Sequence, residues 1–232
     1  MTIKKSLFIA AFMLLATTMA NAAKKTIYKP WSNGKLKVSA NQRYLIHENG
    51  TPFFWLGNTA WLLPERLNRD EAEYFLAKER ELGYNVEQIQ VLNAIPTFNV
   101  YGQQANNKEF DFSKVSKPGV YGYWEHLDYI IDRAADNGIY IAMDCIWGSM
   151  IGQMDVKKAV AYGKFLGERY KDKPNIIWMI GGDILGDKSP EVWDALARAI
   201  KKYDNRHIMT FHPRGRTTSA RWFNDRECPK PI

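Results

Sequence analysis

Cysteine is nearly absent: Cys145 and Cys228 are the only two in 232 residues. Cys145 sits inside an apolar run and Cys228 near the C-terminus, so both are read as unpaired, and a disulfide framework is excluded as the source of stability. Histidine is scarce too. His47, His126, His207 and His212 show no ligand spacing of the H-E-x-x-H kind, so no metal site is expected. A Gly-rich loop closing on Lys-Ser/Thr is missing, which excludes the phosphate cradle of kinases and ATPases; no cofactor is expected. After residue 19 no apolar run is long enough to cross a bilayer, so no stable membrane insertion is expected of the mature chain. The net charge of +7 is scattered rather than clustered, which argues against a nucleic-acid partner. It suits an anionic polymer such as a uronic-acid polysaccharide, or an ordinary solvated surface.

Aromatic residues, by contrast, are plentiful: 13% of the chain, with eight Trp. Indoles stack on the flat C–H faces of sugar rings, although any single Trp more often serves a core. With 46% hydrophobic and 25% charged residues, the chain can build a sizeable globular core. Its start has the pattern of an export signal. Lys4 and Lys5 precede an apolar run over residues 6–19, and Ala20-Asn21-Ala22 is a small-x-small cleavage site. Cleavage after Ala22 removes two lysines and no acid, lowering the net charge from +7 to +5. The run is shorter than the ~20 residues of a membrane-spanning helix. Export to the periplasm, the cell surface or beyond is therefore expected.

Residues 23–52 read as an N-terminal extension with short strands near 36–38 and 44–46 and a turn at Glu48-Asn49-Gly50. A repeat then begins. Apolar runs at 53–57, 86–92, 139–145, 176–182 and 208–211 look like parallel strands buried on both faces. Amphipathic helices lie between them. One starts near Arg69, capped by Asn68 with Glu71 three residues on, and stops at Gly83; its stripe is Ala72, Phe75, Leu76 and Leu82. A second covers 123–137, with Trp124, Leu127, Ile130, Ile131 and Ala134 inward. The third, from about Asp155, puts Val156, Val160, Gly163, Leu166 and Tyr170 on one face. Ser189-Pro190-Glu191 opens the fourth as cap, first-turn proline and acid, with Val192, Leu196, Ala199, Ile200 and Tyr203 inward.

Such alternation gives an α/β protein. A doubly wound sheet would carry a Gly-rich turn after an early strand, and none is present. The expectation is a (β/α)8 barrel of the TIM type, with about five units over residues 53–223. Residues 224–232 have no periodicity. Half a barrel would expose two strand edges, so the chain is expected to be incomplete.

Barrel chemistry gathers at the C-terminal ends of the strands. That rule selects Asn58 and Trp61 after the first run, Gln90 and Asn93 after the second, Asp144 and Trp147 after the third, Asp183 after the fourth, and His212 and Arg214 after the fifth. Amides and acids grip hydroxyls and indoles support a sugar ring, so an oligosaccharide or polysaccharide substrate is expected. Asp183 is the expected catalytic residue. It leaves a buried strand beside Gly181 and Gly182, and burial would raise its carboxyl pKa toward that of a general acid. A loop-tying or helix-capping aspartate is the other reading of the same position. Asp144 reads as a structural or hydroxyl-binding acid, and His212 as a substrate contact or a hydrogen-bonded strand-end residue.

Four segments occur in order: Phe53-Phe54-Trp55-Leu56-Gly57-Asn58-Thr59-Ala60-Trp61, residues 161–178, Gly181-Gly182-Asp183, and Met209-Thr210-Phe211-His212-Pro213-Arg214-Gly215. Together they resemble the apiosidase-like catalytic domain of glycoside hydrolase family 140. The resemblance implies a (β/α)8 barrel, export, cleavage of glycosidic bonds in pectin side chains, and Asp183 in the acid/base position. Two departures stand out. The family usually has Asp where this chain has Asn58, and its second catalytic carboxylate comes from a later strand, which this chain does not reach. Since the mechanism needs two carboxyl groups, this polypeptide alone is expected to be inactive. The alternatives are a non-catalytic carbohydrate-binding protein and an inactive fragment.

Overall fold

The computed structural model describes residues 26–112, 115 and 119–223. The export-signal segment, the tail 224–232 and Cys228 lie outside the described residues. Three short strands come first: β1 (Leu36–Val38), β2 (Leu45–His47) and β3 (Pro52–Phe53) form an antiparallel sheet in that order. Five parallel strands follow: β4 (Gly57–Thr59), β5 (Val86–Gln90), β6 (Tyr140–Asp144), β7 (Ile176–Ile184) and β8 (Met209–Pro213). They are hydrogen-bonded in sequence order, each to the next. A doubly wound sheet would reverse its strand order at some point; here it never reverses, which is barrel order.

Helices fill the crossovers. α1 (Leu63–Arg66) and α2 (Arg69–Glu81) follow β4, and α3 (Tyr123–Asp136) follows β5. Then α4 (Val156–Tyr170), α5 (Pro190–Tyr203) and the short α6 (Ala220–Phe223) follow β6, β7 and β8. Among the described residues no helix is long and apolar enough to cross a membrane.

The first barrel strand is not where the apolar run placed it. Phe53 pairs with Leu45 in the antiparallel sheet, and the parallel strand begins only at Gly57, opposite Val86. A continuous apolar run does not record which sheet each residue joins. Phe54, within it, is 78% exposed.

The parallel sheet has two faces with different partners. Toward the helices, Ile89, Ile141, Met143, Ile176, Trp178 and Ile180 pack in one large cluster with Trp124, Leu127, Ile130, Leu166, Trp193 and Leu196. On the inner face, Val86, Tyr140, Ala142, Ile177 and Met179 meet Leu36 and Phe53 of the small sheet. Tyr140 takes the edges of two rings, Trp31 and Phe53, each with centroids 5.4 Å away. The N-terminal sheet thus closes the lower end of the inner face.

Local rules explain most helix ends. Asn68 and Glu71 form a reciprocal capping box on α2, and Asp155 accepts from the Lys158 N–H at the start of α4. α5 does begin at Pro190, but Ser189 has a left-handed backbone (φ 52°) and makes no side-chain cap bond. Leu82 is 70% exposed because it lies at the end of its helix. The inward face of α4 is also rotated from the expected one. Val156 and Val160 are exposed, and Ala159, Tyr162, Gly163, Leu166, Gly167 and Tyr170 are buried. A Cβ on Gly163 would come 2.6 Å from the Ala199 Cβ and 2.7 Å from the Leu196 carbonyl oxygen. α4 and α5 approach so closely that only small side chains fit between them, and valine is therefore turned outward. Cys145 is buried and free.

Candidate active site

The C-terminal ends of the strands bring most of the selected residues together. Trp61, after β4, has its ring centroid 5.7 Å from Trp147, after β6, and 5.6 Å from the His212 ring on β8. Trp147 and His212 are 6.1 Å apart. These three half-buried rings form one wall, while Trp124, Trp178 and Trp193 are fully buried in the core. His212 also lines a concavity of about 430 Å³ between the inner face of β8 and the N-terminal sheet.

Asp183 stands beside this wall at the end of β7. Pairing between β7 and β8 is interrupted from Gly181 to Ile184, where Gly181, Gly182 and Asp183 take φ of 118°, 107° and 56° in succession. Two of the three must be glycine for steric reasons. A Cβ on Gly181 would fall on the His212 carbonyl oxygen, and one on Gly182 would lie 2.5 Å from the Gly148 nitrogen. The bulge lifts Asp183 out of the sheet, so its side chain is exposed rather than enclosed. The burial expected for this carboxyl is not there.

Three hydrogen bonds hold the turn to the end of β8. The Asp183 N–H donates to His212 Nδ1 at 3.0 Å, the Arg214 N–H to the Ile184 carbonyl at 2.9 Å, and the Gly215 N–H to Asp183 Oδ1 at 3.2 Å. The Arg214 side chain is itself exposed.

The enclosed acid is Asp144 instead. It ends β6 on the inner face, in register with the buried Gln90, and neither carboxyl oxygen has a hydrogen-bond partner. Burial pushes its pKa well above the ordinary carboxylate range, against a weaker pull from the Ile146 N–H, which lies outside hydrogen-bond geometry. Asp144 is thus an enclosed acid beneath the mouth, and its burial favours the protonated form. A Cβ on Gly182 would sit 3.0 Å from its Oδ2, which places it directly under the Asp183 turn.

Asn58 does not join the site. Its Nδ2 donates to Glu79 Oε2 of α2 at 3.0 Å, so the side chain faces the helix layer. The strand runs on to Thr59, so Asn58 lies inside β4 rather than beyond its end, at a position that alternation turns to the helix side. Glu87, its neighbour in register, faces the same layer, fully buried. Burial, then the Glu79 carboxylate, push the Glu87 carboxyl up to about 8.

One carboxyl at the mouth escaped the sequence reading. Asn93 Nδ2 donates to Glu65 Oε2 at 3.0 Å, and the other Glu65 oxygen is buried without a partner. Burial raises the pKa of this carboxyl, with the Asn93 bond opposing. Glu65 lies in α1, four residues beyond Trp61, so a rule confined to strand tips passes over it. Among the described residues, no three His, Cys, Asp or Glu side chains are grouped to hold a metal ion.

The family model of the apiosidase-like catalytic domain matches residues 39–228. The chain belongs to this family. Two solved structures share its fold at high identity. A protein described as a glycoside hydrolase family 5 member from Bacteroides vulgatus is 63% identical, with a TM-score of 0.85 over 87% of this chain and 44% of that one. Another, described as a glycoside hydrolase, is 62% identical, with a TM-score of 0.84 over 87% and 46%. The apiosidase-like chain thus spans less than half the length of either. The catalytic domain of Thermobifida fusca endoglucanase Cel5A, 15% identical with a TM-score of 0.57 over 81% of this chain and 57% of that one, shares the fold alone. No curated protein matches. The fold is a partial (β/α)8 barrel, and the domain is of the glycoside hydrolase kind.

Proposed function

We propose that this domain cleaves glycosidic bonds in the side chains of plant pectic polysaccharides, in the manner of an apiosidase, with Asp183 as the proton-donating carboxyl. The exposed Asp183 carboxyl, held at a strand end beside the Trp61, Trp147 and His212 rings, carries this reading. Asp183 Oδ1 already accepts the Gly215 N–H. That leaves Oδ2 as the oxygen from which a proton would pass to the departing sugar oxygen as the C–O bond breaks. The rings support the apolar face of the sugar, and Asn93, Glu65 and Arg214 line the rim for its hydroxyls or an acid group.

A second carboxylate completes the reaction, as nucleophile about 5–5.5 Å away or as base about 6.5–9.5 Å away. In this reading it comes from further barrel units. Export on the signal pattern of residues 1–22 places the protein where such polymers are met.

The test is Asp183→Asn in the protein with its complete barrel, given pectic side-chain oligosaccharides. We expect kcat to fall by roughly 10²–10⁴-fold while oligosaccharide affinity changes little. Tight binding with no turnover by the unaltered protein on any such substrate defeats the enzymatic reading and leaves a carbohydrate-binding one.

A further inference from the structure

The bond between the Asp183 N–H and His212 Nδ1 fixes more than a distance. A backbone N–H only donates, so Nδ1 must offer its lone pair at 3.0 Å. The ring proton then belongs to Nε2. Two indoles fix the plane of the ring as well: Trp61 stands at 86° to it and Trp147 at 44°. Its Nε2 has no hydrogen-bond partner among the described residues. The residue it holds is itself in a left-handed conformation, φ 56°. For a residue other than glycine this conformation is uncommon and must be held by its surroundings.

We propose that His212 is a positioning residue for Asp183. In its Nε2–H tautomer it anchors the strained turn and thereby sets where the Asp183 carboxyl stands. Its Nε2–H remains on the cleft wall as a donor for a sugar hydroxyl. A ring with its proton on Nδ1, or on both nitrogens, would set two donors face to face and release the turn. The proposal rests on the glycosidase reading for its kinetic consequence only; the tautomer does not depend on it.

The first experiment uses the full chain with ¹⁵N-labelled histidine, observed by long-range ¹H–¹⁵N correlation and assigned with His212→Asn. A single Nε2–H tautomer for His212 is expected. An Nδ1–H form, or an averaged mixture, overturns the proposal.

The second experiment compares His212→Asn with His212→Phe. Asparagine keeps an acceptor near the Nδ1 position, and phenylalanine keeps only ring bulk. Protection of the Asp183 amide from hydrogen exchange should survive in the first variant and be lost in the second. Equal protection in both overturns the proposal, even if one variant is less stable.

Where turnover is measurable, His212→Asn should stay within about tenfold of the unaltered kcat. His212→Phe should lose about 100-fold or more in kcat, as for a carboxyl displaced by about 1 Å, with KM moving less. If KM carries the loss in both variants, His212 is a substrate contact and not a positioning residue. Absence of any turnover by the protein with its complete barrel defeats the glycosidase reading, and the tautomer and exchange results still decide this one.

Discussion

The two ends of the parallel sheet are built on opposite principles. At the lower end, Leu36, Phe53, Val86, Tyr140 and Ile177 pack as an apolar plug under the small antiparallel sheet. At the upper end three successive residues have positive φ, Asp144 and Glu65 keep buried oxygens without partners, and three aromatic rings stand half-exposed. Close packing without polar groups stabilises a fold, while unsatisfied polar groups and strained backbone cost stability and persist where they serve a site. The lower end supplies the stability that the upper end spends.

The largest effect should come from breaking the plug. Phe53→Ala removes a ring packed against Tyr140 and His47 and should destabilise by about 3–5 kcal/mol in urea denaturation. Sugar affinity of the folded fraction should be unchanged; a loss of affinity at unaltered stability would show that the two ends are not separate. Next comes Gly181→Ala, which forces a Cβ onto the His212 carbonyl at φ 118°. It should cost about 2–3 kcal/mol, and unlike the first variant it should also abolish the function of the mouth.

Glu87→Gln probes the helix layer of the same sheet. The Glu87 carboxyl is raised to about 8 from 4.5, so the folded state holds a proton that the unfolded chain releases. Its contribution is complete below about pH 4.5 and is lost as pH rises through about 8. Glutamine, always neutral, should flatten that decline by at least about 1.4 kcal/mol, the worth of one pKa unit. Identical melting curves at pH 5 and pH 9 in the unaltered protein would remove this cause. The smallest effect is expected from Asn58→Ala, about 1 kcal/mol of stability from its bond to Glu79, with no change in sugar affinity.

What could be read from the sequence follows the range of the interaction that decides each feature. The capping box of α2 is local, since Asn68 and Glu71 are three residues apart, and it was legible. So was the order of strand and helix, because each buried run is one element long. The inward face of α4 was legible only in part: Gly163, Leu166 and Tyr170 are buried as expected, but Val156 and Val160 are turned outward by the close approach of α5, about thirty-five residues on. The start of β4 was misread because Phe53 and Gly57 belong to different sheets within one apolar run, and Asn58, read as following the strand, lies inside it on the helix side. At the site, position 183 was legible as a strand-end acid beside two glycines. Its exposure was not, because it depends on a bulge whose pairing partner lies in β8. The same distance hid Asp144 as the enclosed acid.

The stitching of Asp183 and Ile184 to His212, Arg214 and Gly215 has a consequence for engineering. The stretch after β8 holds the Asp183 turn, so in the proposed reading a different loop grafted there to accept another sugar would displace the proton donor as well. Selectivity is more safely retuned from Glu65 and Asn93, which bond to each other and make no hydrogen bond to the Asp183 turn.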